Sequence, residues 1–279
     1  MKEQKKQHKH STESTRRKLF VLNFHGDIRA SAVTSLREEI TAVLMVAASG
    51  DEVLVRLESA GGLVHAYGLA SSQLQRLKAQ DVKLTVAVDK VAASGGYLMA
   101  CVADRIIAAP FAVVGSIGVL AQLPNFSRWL KKNEIDFEQF TAGEFKRTVT
   151  VFGENTPQGR EKFQQELEQT HVLFKDFVSI HRSQLDIEQV ATGEHWYGKQ
   201  ALELKLVDDL QTSDDYLLTN RQDADLYEIT YSGKKPILAK LLGATTQVLD
   251  QLMDRFMGRL PSRLPGQTEE EWSNSLPRF

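Results

Sequence analysis

The segment Asp89-Lys90-Val91-Ala92-Ala93-Ser94-Gly95-Gly96-Tyr97 concentrates the residue types best suited to chemistry. A β-branched run, Leu84–Val88, leads into small residues and then into an apolar helical stretch, Tyr97–Ala103. A serine at such a strand-to-helix junction stands at a helix N-terminus, where N–H groups lacking intrahelical partners can hold an anion. Small neighbours permit a tight turn and let a substrate backbone come close. The plainer alternative is that Ser94 only N-caps the helix. A second small-residue turn, Ser59-Ala60-Gly61-Gly62, follows the run Val53–Leu57 and precedes a helical pattern from Leu63. Acyl transfer needs donors aimed at the developing oxyanion, each worth roughly 3–4 kcal/mol. The amides of Gly62 and Gly95 are natural candidates, although a Gly-Gly turn alone usually means a tight connection.

A serine nucleophile needs a base, by default a histidine. The seven histidines are His8, His10, His25, His65, His171, His181 and His195, and none falls between Ser94 and His171. His171 and His181 lie on a charged helical segment and are expected to face solvent; His65, one turn into the helix after Gly62, could approach the site. Lysine is the other base known for serine, and it works in the neutral form, which desolvation or a nearby positive charge favours. Lys146 sits in Thr141-Ala-Gly-Glu-Phe-Lys-Arg-Thr148, among Gly143 and Phe145 and beside Arg147. By composition alone many lysines could serve, and the choice of base stays open at this level. Cys101, the single cysteine, falls on the apolar helix and reads as core packing.

These residues need a scaffold. Short apolar runs at Leu19–Phe24, Val53–Leu57, Leu84–Val88 and Arg105–Ala108 predict strands. Between them, apolar residues spaced by three or four (Leu63, Tyr67, Ala70, Leu74, Leu77, and Val33, Leu36, Ile40, Leu44) predict helices. Strands alternating with such helices define an α/β fold with mostly parallel pairing. Residues 159–184 predict a long surface helix packing one stripe through Phe163, Leu167, Leu173, Phe174 and Phe177; residues 235–258 read as an amphipathic helix and 259–279 as a frayed tail.

The 279 residues, 42% hydrophobic and 25% charged, suit one sizeable core or two small domains. Residues 1–18 carry seven Lys/Arg against two Glu, so a net charge of −2 conceals a basic leader on an acidic body. That leader could touch anionic lipid or nucleic acid; the reading preferred is a solvated, disordered segment, and no nucleic-acid partner is expected. No run of about 18 apolar residues exists to span a bilayer.

Four motifs, Glu58-Ser-Ala-Gly-Gly62, Val91-Ala-Ala-Ser-Gly-Gly-Tyr97, Gly115-Ser-Ile-Gly-Val119 and Ala142-Gly-Glu-Phe-Lys-Arg147, occur in one order along the chain. Together with Asp186-Ile-Glu-Gln-Val-Ala-Thr-Gly-Glu-His-Trp-Tyr-Gly198, they resemble the signal peptide peptidase A family, and within it the SohB-type branch. The resemblance covers roughly residues 19–232. It implies a Clp-protease/crotonase-like spiral of ββα units. It implies a serine peptidase in which Ser94 is the nucleophile, Lys146 the general base, Ser116 the residue orienting the lysine, and Gly62 and Gly95 line the oxyanion hole. The substrates would be short apolar peptides, such as remnant signal peptides or misfolded envelope proteins. The 52-residue spacing of serine and lysine fits short members, whose dyad forms between neighbouring copies in a homo-oligomeric ring.

Domain boundaries follow: a leader at 1–18, a peptidase domain at 19–232, and an amphipathic helix with tail at 233–279. No metal or cofactor is expected; GxxxxGK(S/T), HExxH and paired cysteines are all missing from the sequence. Family members usually begin with a membrane helix and sit at the bacterial inner membrane, most familiarly facing the periplasm. This chain carries no such helix, so its first methionine is expected to be internal to a longer protein, and membrane association stays open. Ala60 replaces the proline frequent in the family turn. Two other functions compete: thioester chemistry on a crotonase-type fold, which needs no Ser–Lys pair, and a silent binding module on a peptidase scaffold.

Overall fold

The first two apolar runs become β1 (Arg17–Gly26) and β2 (Glu52–Ser59), paired in parallel from Leu19 opposite Glu52 to Gly26 opposite Ser59. Parallel neighbours need a crossover, and α1 (Val33–Leu44) supplies it, burying Leu36, Ile40 and Val43. A second crossover, α2 (Val64–Lys78), buries Tyr67, Ala70, Leu74 and Leu77 and leads to β3 (Lys83–Val88), parallel to β2. The computed structural model describes residues 16–232, and the expected segments at 1–15 and 233–279 lie outside the described residues. Residues 17 and 18, given to the leader on charge, belong to the sheet: the Arg17 guanidinium donates to Glu52 at 2.6 Å and the Lys18 amide donates to Asp51 at 2.7 Å.

The sheet branches at β2. Its first five residues pair with β3, while Ser59 at its far end pairs with Ala92 of β4 (Val91–Ala93). The chain bends at Asp89-Lys90, so β3 and β4 continue in different arms before α3 (Gly95–Ala100) closes the unit. The next unit repeats the division: β5 (Arg105–Ala108) joins β3 and β6 (Val113–Gly115) joins β4, both in parallel. Beyond β6 the chain makes a long excursion through α4 (Ser127–Lys132) to α5 (Pro157–His181), then α6 (Ile187–Val190). It returns as β7 (His195–Tyr197), antiparallel to β6, followed by α7 (Gly198–Glu203). β8 (Asp209–Leu210) extends β5, and α8 (Ser213–Asn220) and β9 (Ala224–Glu228) bring the chain back to β1. α5 starts where a cap predicts: Thr156 accepts from the Gly159 amide, and Pro157 occupies the first turn.

Glu52 is fully buried at the start of β2. Burial would raise its carboxyl, but hydrogen bonds from Thr85, Tyr216 and Arg17 and the charge of Lys83 outweigh that and hold it below the ordinary glutamate value. A carboxylate more acidic when folded stabilises fully above its unfolded pKa, and that contribution fades as pH falls through it. Glu52→Gln is expected to cost about 3 kcal/mol at pH 7. In denaturant titrations the gap to the parent protein narrows as pH falls below 4.5.

Candidate active site

Three neighbouring strand ends build the site. In the order β6–β4–β2, Gly115 pairs with Ala93 and Ala92 pairs with Ser59, so the residues that follow emerge side by side. Those residues are Ser116, Ser94 and the turn Ala60-Gly61-Gly62. The C-terminal ends of parallel strands are where open α/β sheets bind ligands.

Ser94 has φ +51° and ψ −119°, outside the regions a serine prefers, which costs on the order of 1–3 kcal/mol. The fold imposes it: the Ser94 amide donates to the Gly115 carbonyl at 2.8 Å while its carbonyl already accepts from Leu98 in α3. The N-cap alternative fails, because the Ser94 side chain makes no capping bond. Its hydroxyl has no hydrogen-bond partner among the described residues. Neither the Gly62 nor the Gly95 N–H is given to a protein acceptor there, so both predicted donors are free. Gly61 has φ +90°, and a Cβ on it would meet the Gly95 amide at 2.7 Å and Ser94 Cβ at 2.8 Å. Only glycine lets the two turns touch in this way.

Ser116 also has positive φ, +50°; its amide donates to the Glu194 carbonyl at 2.7 Å and its hydroxyl to the Gly193 carbonyl at 3.3 Å. Ser94, Ser116, Gly62 and Gly95 all line one cleft of about 870 Å³, whose walls include Ile28, Val64, Leu98, Phe174 and Phe177. Apolar walls with few polar groups at the floor suit a peptide with apolar side chains.

Lys146 is not brought to this cleft within the chain. It lies on the excursion between β6 and α5, exposed, with its amide bonded to the Gly143 carbonyl at 3.2 Å and its amine without a partner among the described residues. The excursion is tied mainly to itself: Asn125 donates to the carbonyls of Thr150 and Gly153, and Phe126 stacks on Phe152 at 6.2 Å. It leaves large apolar side chains uncovered, including Trp129, Phe145 and Phe140, the last 90% exposed.

Two expectations about histidines need correction. His65 is exposed and does not line the cleft, so it is no base for Ser94. His171 does line the cleft, with Nε2 buried and without a hydrogen-bond partner, and His181 is bonded to Gln75 and to the Phe177 carbonyl. The signal was present: His171 precedes the buried Phe174 and Val178 by three and seven, the period of the packed face. The charged residues around it obscured that spacing. Leu173, assigned to the packed stripe, is instead exposed at the cleft. Cys101 is core, as expected; burial pushes its thiol up, far from nucleophilic use.

Comparison with known proteins identifies the family and the fold. Residues 76–227 match Peptidase family S49 and residues 1–74 match Peptidase family S49 N-terminal; the chain belongs to peptidase family S49. Within it the chain is of the SohB type. It is 62% identical over 222 residues to "Probable protease SohB" of Haemophilus influenzae, covering 80% of this chain and 63% of that protein. It is 55% identical over 238 residues to the protein of the same description from Buchnera aphidicola subsp. Acyrthosiphon pisum, covering 85% and 71%. Among solved structures, the 1510-N membrane-bound stomatin-specific protease aligns in two forms. A serine-to-alanine mutant has a TM-score of 0.52 at 12% identity, covering 78% of this chain and all of that one. A lysine-to-alanine mutant in complex with a substrate peptide has a TM-score of 0.51 at 12% identity, covering 82% and 99%. The fold is thus of the Clp-protease/crotonase type. No helix among the described residues is long and apolar enough to cross a membrane.

Proposed function

We propose that this protein is a serine endopeptidase in which Ser94 attacks the peptide carbonyl and Lys146 of a neighbouring copy is the general base. The observation that carries the reading is the strained, unpartnered Ser94 hydroxyl at the floor of an apolar cleft, beside two free glycine amides. The exposed apolar excursion bearing Lys146 supplies a reason for copies to associate, and a contact that excludes water favours a neutral lysine. That a serine and a lysine are the residues exchanged in the stomatin-specific protease mutants fits the same pair of residue types.

The reaction then runs in two halves. The Lys146 amine takes the proton of Ser94 Oγ as that oxygen bonds to the carbonyl carbon, and the Gly62 and Gly95 amides receive the oxyanion. Collapse breaks the C–N bond, the lysine proton passes to the leaving amine, and water activated by the same amine hydrolyses the acyl-serine. Ser116 holds the lysine by hydrogen bonding. The substrates are short apolar peptides, among them remnant signal peptides or misfolded envelope proteins, and the working form is a homo-oligomeric ring at the bacterial inner membrane.

A fluorophosphonate reagent followed by peptide mass mapping tests the nucleophile. The adduct is expected on Ser94 alone, with peptide cleavage lost in proportion to labelling. Cleavage that persists after full labelling, or an adduct on another serine, overturns the assignment.

A further inference from the structure

We infer that Tyr67 and Ser59 are positioning residues, a one-way chain of hydrogen bonds that holds the Gly61-Gly62 turn so that the Gly62 amide faces the oxyanion. This deepens the peptidase reading above and rests on it for its catalytic consequence.

The direction of the chain follows from its ends. The Gly61 amide can only donate, and it donates to Ser59 Oγ at 3.0 Å. The Asp27 carbonyl can only accept, and it receives the Tyr67 hydroxyl at 2.8 Å. Between them Ser59 Oγ and Tyr67 Oη stand 2.5 Å apart. With its one proton committed to Asp27, Tyr67 must accept from Ser59, which leaves the Ser59 lone pairs to Gly61. Each hydroxyl has one proton and one assignment. Ser59 is 2% exposed and Tyr67 is fully buried, so the bond between the two hydroxyls is shielded from water. Burial also raises the Tyr67 phenol above its ordinary value, which favours the protonated form that this bond needs. Chains of this kind strengthen one another in a low-dielectric interior.

Tyr67 reaches the other donor as well. A Cβ on Gly95 would meet Tyr67 Cγ at 2.5 Å, so the ring lies flush against that residue's backbone. One side chain therefore registers both turns: its hydroxyl controls Gly61 through Ser59, and its ring backs Gly95. Core packing alone would account for the ring. It would not account for an ordered run of hydrogen bonds from the Gly61 amide through two hydroxyls to the Asp27 carbonyl.

Tyr67→Phe separates the two roles, because it keeps the ring and removes an atom that does not touch Gly61. The expected result is a 10- to 100-fold lower kcat with KM within about twofold, since misaiming a donor costs less than deleting it. Hydrogen exchange at the Gly61 amide, read in parallel, is expected to quicken at least about tenfold as the chain loosens. Ser59→Ala should show the same pair of changes, and the double variant should be little worse than either single one. Wild-type kcat together with wild-type Gly61 exchange in either variant overturns the inference. If the parent protein cleaves no peptide at all, the peptidase reading fails on that result, and the hydrogen-bond chain stands or falls on exchange at Gly61.

Discussion

Ser94→Ala and Lys146→Ala are each expected to lower kcat for peptide cleavage by about 10⁴-fold or more, with folding and assembly size unchanged. Neither side chain supports the core: Ser94 makes no side-chain bond and Lys146 is exposed. The decisive measurement mixes the two inactive proteins under conditions that let subunits exchange. If serine and lysine come from different copies, about a quarter of the contacts in an equal mixture join an intact Ser94 to an intact Lys146. Activity then returns to roughly that fraction. A pair within one copy could never be restored by mixing. Full activity in either single variant removes that residue from the mechanism. Ser94→Gly offers a stability check: it is expected to be equally inactive but more stable by on the order of 1 kcal/mol, because glycine accepts φ +51° without strain.

Asp208→Asn is the substitution expected to cost most in stability. Arg182, just past the end of α5, is only 3% exposed, and its guanidinium makes two 2.8 Å contacts to the Asp208 carboxylate and one to the Lys205 carbonyl. The neighbouring Tyr97 of α3 donates to the Leu206 carbonyl at 2.9 Å, so this corner joins the end of α5 to the helix that follows Ser94. Neutralising Asp208 leaves a buried cation without its counter-charge, a loss of about 3–5 kcal/mol. At a few degrees per kcal/mol in a domain of this size, Tm should fall by roughly 10 °C. Arg182→Met combined with Asp208→Asn should recover part of the loss, since the stranded charge is gone. A Tm within about two degrees of the parent in Asp208→Asn would show that water already screens the pair.

Much of the fold was legible because its signals are local. Strand and helix periods placed β1, β2, β3 and β5 and both early crossovers within a few residues, since each period reports which side chains one element turns inward. The small residues around Ser94 and Gly61 stood out for a similar reason, as they mark places where backbone must turn sharply or approach backbone. The two arms of β2 were not legible, because nothing in Glu52–Ser59 announces that its ends face different partners. Nor was the neighbouring of Ser94 and Ser116, which depends on the register of Ala93 against Gly115.

The amino-acid order alone settled which residue types are present for acyl transfer and that a serine stands where a strand gives way to a helix. Motif resemblance then narrowed many lysines to one. Folding decided the rest: that Ser94 is held at positive φ, that His171 turns into the cleft, that Tyr67 and Ser59 secure the glycine turn, and that Lys146 lies away from its own chain's cleft. Each of these depends on contacts between residues distant along the chain, set by sheet register and packing rather than by any neighbour in sequence.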